Sequence, residues 1–136
     1  MATIEHSAVL HAPRERVFAL IERVEDFADY SDLIRAVEPL GGSHYRWHIH
    51  AVGMNWSFVI RITESQSPET LAWESLEGVP NQGRYELETV PEGTHVKLTV
   101  TYHIRNRLLE KAVNRAAGPL ARQASQQIME CLKARL

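Results

Sequence analysis

His95-Val96-Lys97-Leu98-Thr99-Val100-Thr101-Tyr102-His103-Ile104 alternates apolar and polar side chains without a break. Successive side chains of a strand point to opposite faces. Val96, Leu98, Val100, Tyr102 and Ile104 therefore share one face, and the histidines, lysine and threonines share the other. Immediately afterwards the period changes. From Asn106 to about Ala134, the residues Leu109, Val113, Ala116, Leu120, Ala124, Ile128 and Cys131 or Leu132 recur at helical spacing and form an apolar stripe. Such a helix is roughly 40 Å long at 1.5 Å per residue, and it is the only segment long enough to cover the apolar face of a sheet. Gly118-Pro119 lies in its middle, where an internal proline is expected to kink it.

Reading backwards from this pair, period two holds almost to Asp32. Tyr45, Trp47, Ile49 and Ala51 face one way, and His44, Arg46, His48 and His50 the other. Trp56, Phe58, Ile60 and Ile62 alternate with polar residues after a turn or bulge at Gly53. Ser67-Pro68-Glu69, Gly78-Val79-Pro80-Asn81 and Pro91-Glu92-Gly93 punctuate the remainder, leaving strands over Thr70–Glu77 and Gly83–Val90. At the other end, Thr3–Leu10 alternates weakly and is expected to be a strand. Val17, Phe18, Leu20, Ile21 and Val24 then mark a helix over Pro13–Arg23, with Pro13 as its first residue. A second short helix is expected over Glu25–Tyr30, offering Phe27 and Tyr30 to the interior. The fold class is α+β: a curved antiparallel sheet wrapped around a long C-terminal helix, with two short helices after the first strand.

A chain of 136 residues with 44% apolar and 24% charged content has the composition of one soluble globular domain, so disorder is excluded and a single domain over residues 1–136 is expected. One cysteine excludes a disulfide framework and a cysteine-rich zinc module. Neither a basic, apolar leader nor a membrane span is visible, so a cytoplasmic location is expected. The net charge of −2 is unevenly placed: from Arg105 onward seven Lys/Arg face two Glu, which leaves the rest of the chain strongly acidic. This reads first as the solvated face of a helix, and second as a weak contact surface for membrane or ribosome.

A sheet curled round one helix touches it along a line. The middle of the helix offers the small residues Ala116, Ala117, Gly118, Ala121 and Ala124, whereas strand parity turns Trp47, Trp56, Phe58, Trp73, Tyr85 and Tyr102 toward it. Small residues on one wall and flat aromatics on the other favour an apolar cavity over a solid core. Its expected lining is His6, Trp47, Trp56, Phe58, Trp73, Tyr85, Leu98, Tyr102, Ala116 and Leu120.

Ser7-x-x-x-x-Ala12-Pro13-x-x-x-Val17-Phe18, followed by Val24-Glu25-Asp26-Phe27, resembles the opening of the START-like (SRPBCC) superfamily. This is the polyketide cyclase/dehydrase and lipid-transport family, with the helix-grip fold also seen in the birch-pollen allergen (Bet v 1-like). Trp73-Glu74-Ser75-Leu76-Glu77-Gly78 with Asn81 and Gly83 resembles its cyclase/dehydrase branch. Tyr102-His103-Ile104-Arg105-Asn106-Arg107-Leu108-Leu109 with Gly118-Pro119-Leu120 resembles the coenzyme-Q-binding and ribosome-association branch, although Tyr30-Ser31 stands where that branch often has Tyr-Pro. The resemblance implies the helix-grip architecture and a hydrophobic small molecule as partner.

Groups suited to chemistry are sparse. His48 and His50 project from one strand face, but Arg46 lies beside them and no cysteine or carboxylate pair joins at ligand spacing, so no metal is expected. His6 is expected to face inward, as a satisfied core residue before a base. Glu77, near the Gly78–Asn81 loop, is a weak candidate acid at the cavity mouth, and Tyr102 a weak proton donor. There is no nucleophile elbow and no glycine-rich phosphate loop, so no cofactor is expected. DNA is not expected as a partner, because the aromatics face inward. Three functions follow in order: a carrier for a lipid, isoprenoid quinone or polycyclic aromatic; a polyketide aromatase/cyclase or dehydratase using the same cavity; and a docking module acting through the basic helix.

Overall fold

The computed structural model describes residues 2–51, 53–103 and 107–136; at residues 2, 107–110, 112–114, 116–118 and 121 only the backbone is described. Strand β1 (Ala2–Leu10) leads into helix α1 (Arg14–Ile21) and a 3-10 helix (Val24–Asp29). Strands β2 (Ile34–Gly41), β3 (His44–Ala51), β4 (Met54–Gln66), β5 (Thr70–Gly78), β6 (Asn81–Val90) and β7 (Gly93–Tyr102) follow, and helix α2 (Arg107–Arg135) closes the order. All pairings are antiparallel, in the spatial order β1-β7-β6-β5-β4-β3-β2. The α+β architecture expected from the alternation, a curved antiparallel sheet with a long C-terminal helix, is the one observed, and it is the helix-grip arrangement that the resemblance implies.

Local differences have local causes. Pro13 caps α1 and does not begin it: its backbone is extended (ψ 152°), and its carbonyl accepts from the Arg16 and Val17 N–H groups. The helix ends at Ile21, two residues early, because Arg23 leaves helical geometry to start the 3-10 turn. The expected helix over Glu25–Tyr30 is that 3-10 turn. Strand β2 is the element with no clear period, since register shifts at Ile34/Ala36 and Pro39/Gly41 interrupt its alternation. It is an edge strand, where Pro39, lacking an N–H, costs no ladder bond to a second neighbour. Helix α2 continues through Pro119 as one element. Ile104 and Asn106, expected at the end of β7 and the start of α2, lie outside the described residues.

Curvature comes from the β4–β5 pair. The 13 residues of β4 pair with β3 at one end and β5 at the other, and two bulges bend the ladder: Leu76 is the extra residue of β5 opposite Val59/Ile60, and Thr63 that of β4 between Ile62 and Glu64. The core lies beneath one end of this curl, where Leu10, Val17, Phe18, Ile21, Tyr30, Val96 and Leu132 are essentially sealed from solvent. The C-terminal half of α2 is fastened there. Ile128, Met129 and Leu132 are buried, Gln127 accepts from the Ser31 hydroxyl (2.7 Å) and the Asp32 N–H (3.2 Å), and Arg135 reaches Asp26 (3.5 Å) and Asp29 (3.8 Å) across the Tyr30 ring. Cys131, half-buried, lies 3.6 Å from the Tyr30 carbonyl. Among the described residues no helix is long and apolar enough to cross a membrane.

Candidate ligand cavity

At the other end of the curl the sheet and α2 part, and a cavity of about 300 Å³ remains between them. That is the lower end of the range for small-molecule sites. Strands β3 and β4 furnish one half of the concave wall, with Trp47, Ile49 and Ala51 beside Trp56, Phe58 and Ile60. The pairing explains the grouping. Trp47 is in register with Phe58 and Ile49 with Trp56, so residues of one parity meet on one face. Trp47 and Phe58 lie nearly parallel, 12° apart with ring centres at 6.1 Å. Trp73, Tyr85, Leu98, Val100 and Tyr102 continue the wall across β5, β6 and β7, and Ile4 of β1 ends it. The roof is Leu120, Ala124, Ser125 and Ile128 of α2, and Phe27, Leu33 and Ile34 close one side.

Eight of the residues expected from the sequence thus surround one space: Trp47, Trp56, Phe58, Trp73, Tyr85, Leu98, Tyr102 and Leu120. His6 does not line it. It is half-buried and in register with Leu98, and Ile4 is the residue of β1 that reaches the cavity. Ala116 falls among the residues whose side chains lie outside the description. Glu77 is exposed, and its pairing with Val59 puts it on the convex face, away from the cavity whose wall includes Phe58. The histidines of β3 are also convex: His48 bonds Glu38, and His50 Nδ1 is 2.8 Å from the Asn55 side-chain oxygen. Among the described residues no group of three or more His, Cys, Asp or Glu is arranged to hold a metal. Phe27 and Asn81 are cavity residues that the alternation did not single out. The first comes from a 3-10 turn, and the second lies at the start of β6, where the strand pattern was read only from Gly83.

Three of the polar side chains are occupied by the protein itself. Trp56 Nε1 donates to the Ala51 carbonyl and Trp73 Nε1 to Asn81 Oδ1, both at 3.0 Å. Asn81 also donates through Nδ2 to the Val79 carbonyl (2.8 Å), so both ends of its amide are used. Trp47 Nε1 is different: it is buried and meets no partner among the described residues, as is true of the Tyr30 hydroxyl in the adjoining core. Burial raises the Tyr85 pKa far above the ordinary tyrosine value, the neighbouring Tyr30 adding to the effect; burial raises Tyr102 as well. Both hydroxyls are therefore protonated donors at neutral pH. None of the described lining residues is charged.

The sequence model of a family described as "Polyketide cyclase / dehydrase and lipid transport" matches residues 1–136. Among solved structures, a protein from Thermus thermophilus superposes with a TM-score of 0.79 at 21% identity, over 98% of this chain and 96% of its own. A START superfamily protein from Mycobacterium smegmatis gives 0.79 at 11% identity, over 98% and 99%. The Zhui aromatase/cyclase from Streptomyces sp. R1128 gives 0.67 at 18%, over 98% and 92%. At these identities the likeness is one of fold. No curated protein matches the sequence.

Proposed function

The chain belongs to the polyketide cyclase/dehydrase and lipid-transport family, and from that premise we propose that it binds and carries an apolar small molecule in the cavity between sheet and α2. The observation that supports this reading is the wall itself: a space of about 300 Å³ lined by three tryptophans, two tyrosines, two phenylalanines and aliphatic side chains, with no charge among the described residues. Water in such a space finds few partners, and a guest replaces it with dispersion contacts. A ligand hiding about 200 Å² of apolar surface gains about 5 kcal/mol at ~25 cal/mol per Å². The hydrophobic partner expected from the sequence fits this site, and the ligand class we favour is a compact ring system in preference to an extended acyl chain, because the volume is small and the walls are flat.

The cyclase reading uses the same space but needs a group that moves protons near neutral pH. The polar side chains of the described lining are the Tyr85 and Tyr102 hydroxyls, held in the protonated form, the Ser125 hydroxyl, the Asn81 amide and the indoles, none of them an acid or base of that kind, and His6 and Glu77 stand outside it. The carrier reading is therefore preferred. Native mass spectrometry of the protein taken directly from cells, with tryptophan-fluorescence titration using neutral polycyclic compounds, tests it. A retained apolar mass or saturable quenching is expected. A protein that is empty and takes up no such compound refutes it.

A further inference from the structure

Resting on the carrier reading, we infer that Trp73 is the partition between cavity and core that limits the length of the guest, and that Asn81 is its positioning residue. Trp73 is the one residue of β5 in the described lining. Its neighbours on the same face lie behind it. Leu71, two residues back along β5, is part of the core, and Ile62, its partner on β4, packs against that core; neither reaches the cavity. On its other side the indole is laid across β6. Gly83, its partner there, stands between Asn81 and Tyr85 and opposite Val100, and all three of those line the space while Gly83 does not. The ring is the reason: a Cβ at Gly83 would fall on Cζ2 and Cη2 of Trp73. The largest side chain occupies the room left by the smallest.

A partition selects by size only if it does not yield, and Trp73 is held from three directions. Nε1 donates to Asn81 Oδ1 (3.0 Å), the ring leans on Tyr85 (centres 6.0 Å apart, planes at 42°), and Gly83 lies beneath it. Asn81 is fixed in turn: its Nδ2 donates to the Val79 carbonyl (2.8 Å) and its backbone N–H to Ser75 Oγ (2.9 Å). Displacing the indole therefore breaks a hydrogen bond and drives the ring into packed neighbours, and close-packed interiors resist such shifts. A guest one ring too long meets the indole and leaves that ring in water. A smaller residue at this position opens the room the indole fills, bounded by Ile62, Leu71 and Gly83.

Phenanthrene and chrysene, which adds one fused ring, are the probes, titrated by tryptophan fluorescence. The added ring carries about 50 Å² of apolar surface, and burying it tightens binding on the order of tenfold. The native protein is expected to show none of this gain and to bind chrysene no more tightly than phenanthrene. Trp73→Leu should recover the gain, on the order of tenfold, and Asn81→Leu, which frees the indole, a few-fold of it. Within Trp73→Leu, adding Asn81→Leu should leave the ratio of the two affinities where it is, as expected of a residue that acts through the indole. A readout on the unmodified protein covers variants that misfold. Bound phenanthrene should give nuclear Overhauser contacts to the Trp73 and Tyr85 rings and none to the methyl groups of Ile62 and Leu71. A native preference for chrysene near tenfold, an unchanged ratio in folded Trp73→Leu, or guest contacts to Leu71 overturns the partition and leaves the carrier reading standing. An Asn81→Leu effect that persists without Trp73 overturns the positioning role. Binding of neither probe overturns the partition and the carrier reading together.

Discussion

Replacing Gly83 by alanine tests how the cavity wall is held open. Gly83 lies directly across from Trp73 in the β5–β6 pair, and its backbone is outside the left-handed region, so alanine meets no backbone strain there. The objection is space. A Cβ at this position would fall on Cζ2 and Cη2 of the Trp73 ring and 2.7 Å from the Thr99 carbonyl. The carbonyl belongs to a neighbouring strand and cannot yield easily, and the indole is tethered by its bond to Asn81 at 3.0 Å. Forced overpacking of this kind costs roughly 1–3 kcal/mol, and loss of the indole bond about 1 kcal/mol more. The sum, about 2–4 kcal/mol, lowers the melting temperature of a chain this size by on the order of 10 °C. Thermal and urea denaturation measure it, with probe titration alongside, since a Trp73 ring displaced into the cavity weakens uptake. In a Trp73→Val background the penalty of Gly83→Ala should shrink without vanishing, because the Thr99 carbonyl remains. A Gly83→Ala protein within about 0.5 kcal/mol of the parent, with unchanged uptake, would refute the packing argument.

Three other outcomes are expected. Ala124 lines the roof of the cavity, so Ala124→Phe should fill it, cutting probe affinity by roughly tenfold or more while stability stays within about 1 kcal/mol; probe titration and melting curves decide. Thr94 is fully buried and donates to the Ala12 carbonyl at 2.7 Å, tying β7 to the start of α1; Thr94→Val should lose about 1–3 kcal/mol in urea unfolding, and a neutral result would show that the carbonyl finds another donor. All four tyrosines have pKa values raised by burial above the ordinary 10.0. Each favours its protonated form when folded, so this stability is complete below pH 10 and falls as the pH climbs past the unfolded value toward the folded ones. Phenolate absorbance should therefore rise late and together with unfolding, and a full rise centred near pH 10 in a folded protein would contradict the burial.

Much of the architecture was legible because alternation is a local signal. A side chain's face follows from its parity, so the inward placement of Trp47, Trp56, Phe58, Tyr85 and Tyr102 needed no knowledge of their neighbours. Strand β2 was not legible, since two register shifts and Pro39 erase its period. Glu77 shows the limit of reasoning by proximity: it adjoins the loop that carries Val79 and Asn81 to the cavity and shares the parity of Trp73, yet the register shift opposite Val59/Ile60 turns it to the opposite face.

The sequence by itself determined the order of the elements other than β2, the apolar face of the strands that alternate and the predominance of aromatics on the concave wall, because each depends on spacing along a few consecutive residues. The tertiary structure alone decided how far along β1 the cavity extends, so that Ile4 lines it and His6 does not, and it brought Phe27 in from a 3-10 turn. It also decided which indole was left without a partner. Trp56 finds the Ala51 carbonyl across a hairpin turn, Trp73 finds Asn81 across a wide loop, and Trp47 finds none. Hydrogen-bond pairing at this range depends on cross-strand register and bulge position, which arise from contacts between distant segments and leave no period in the chain.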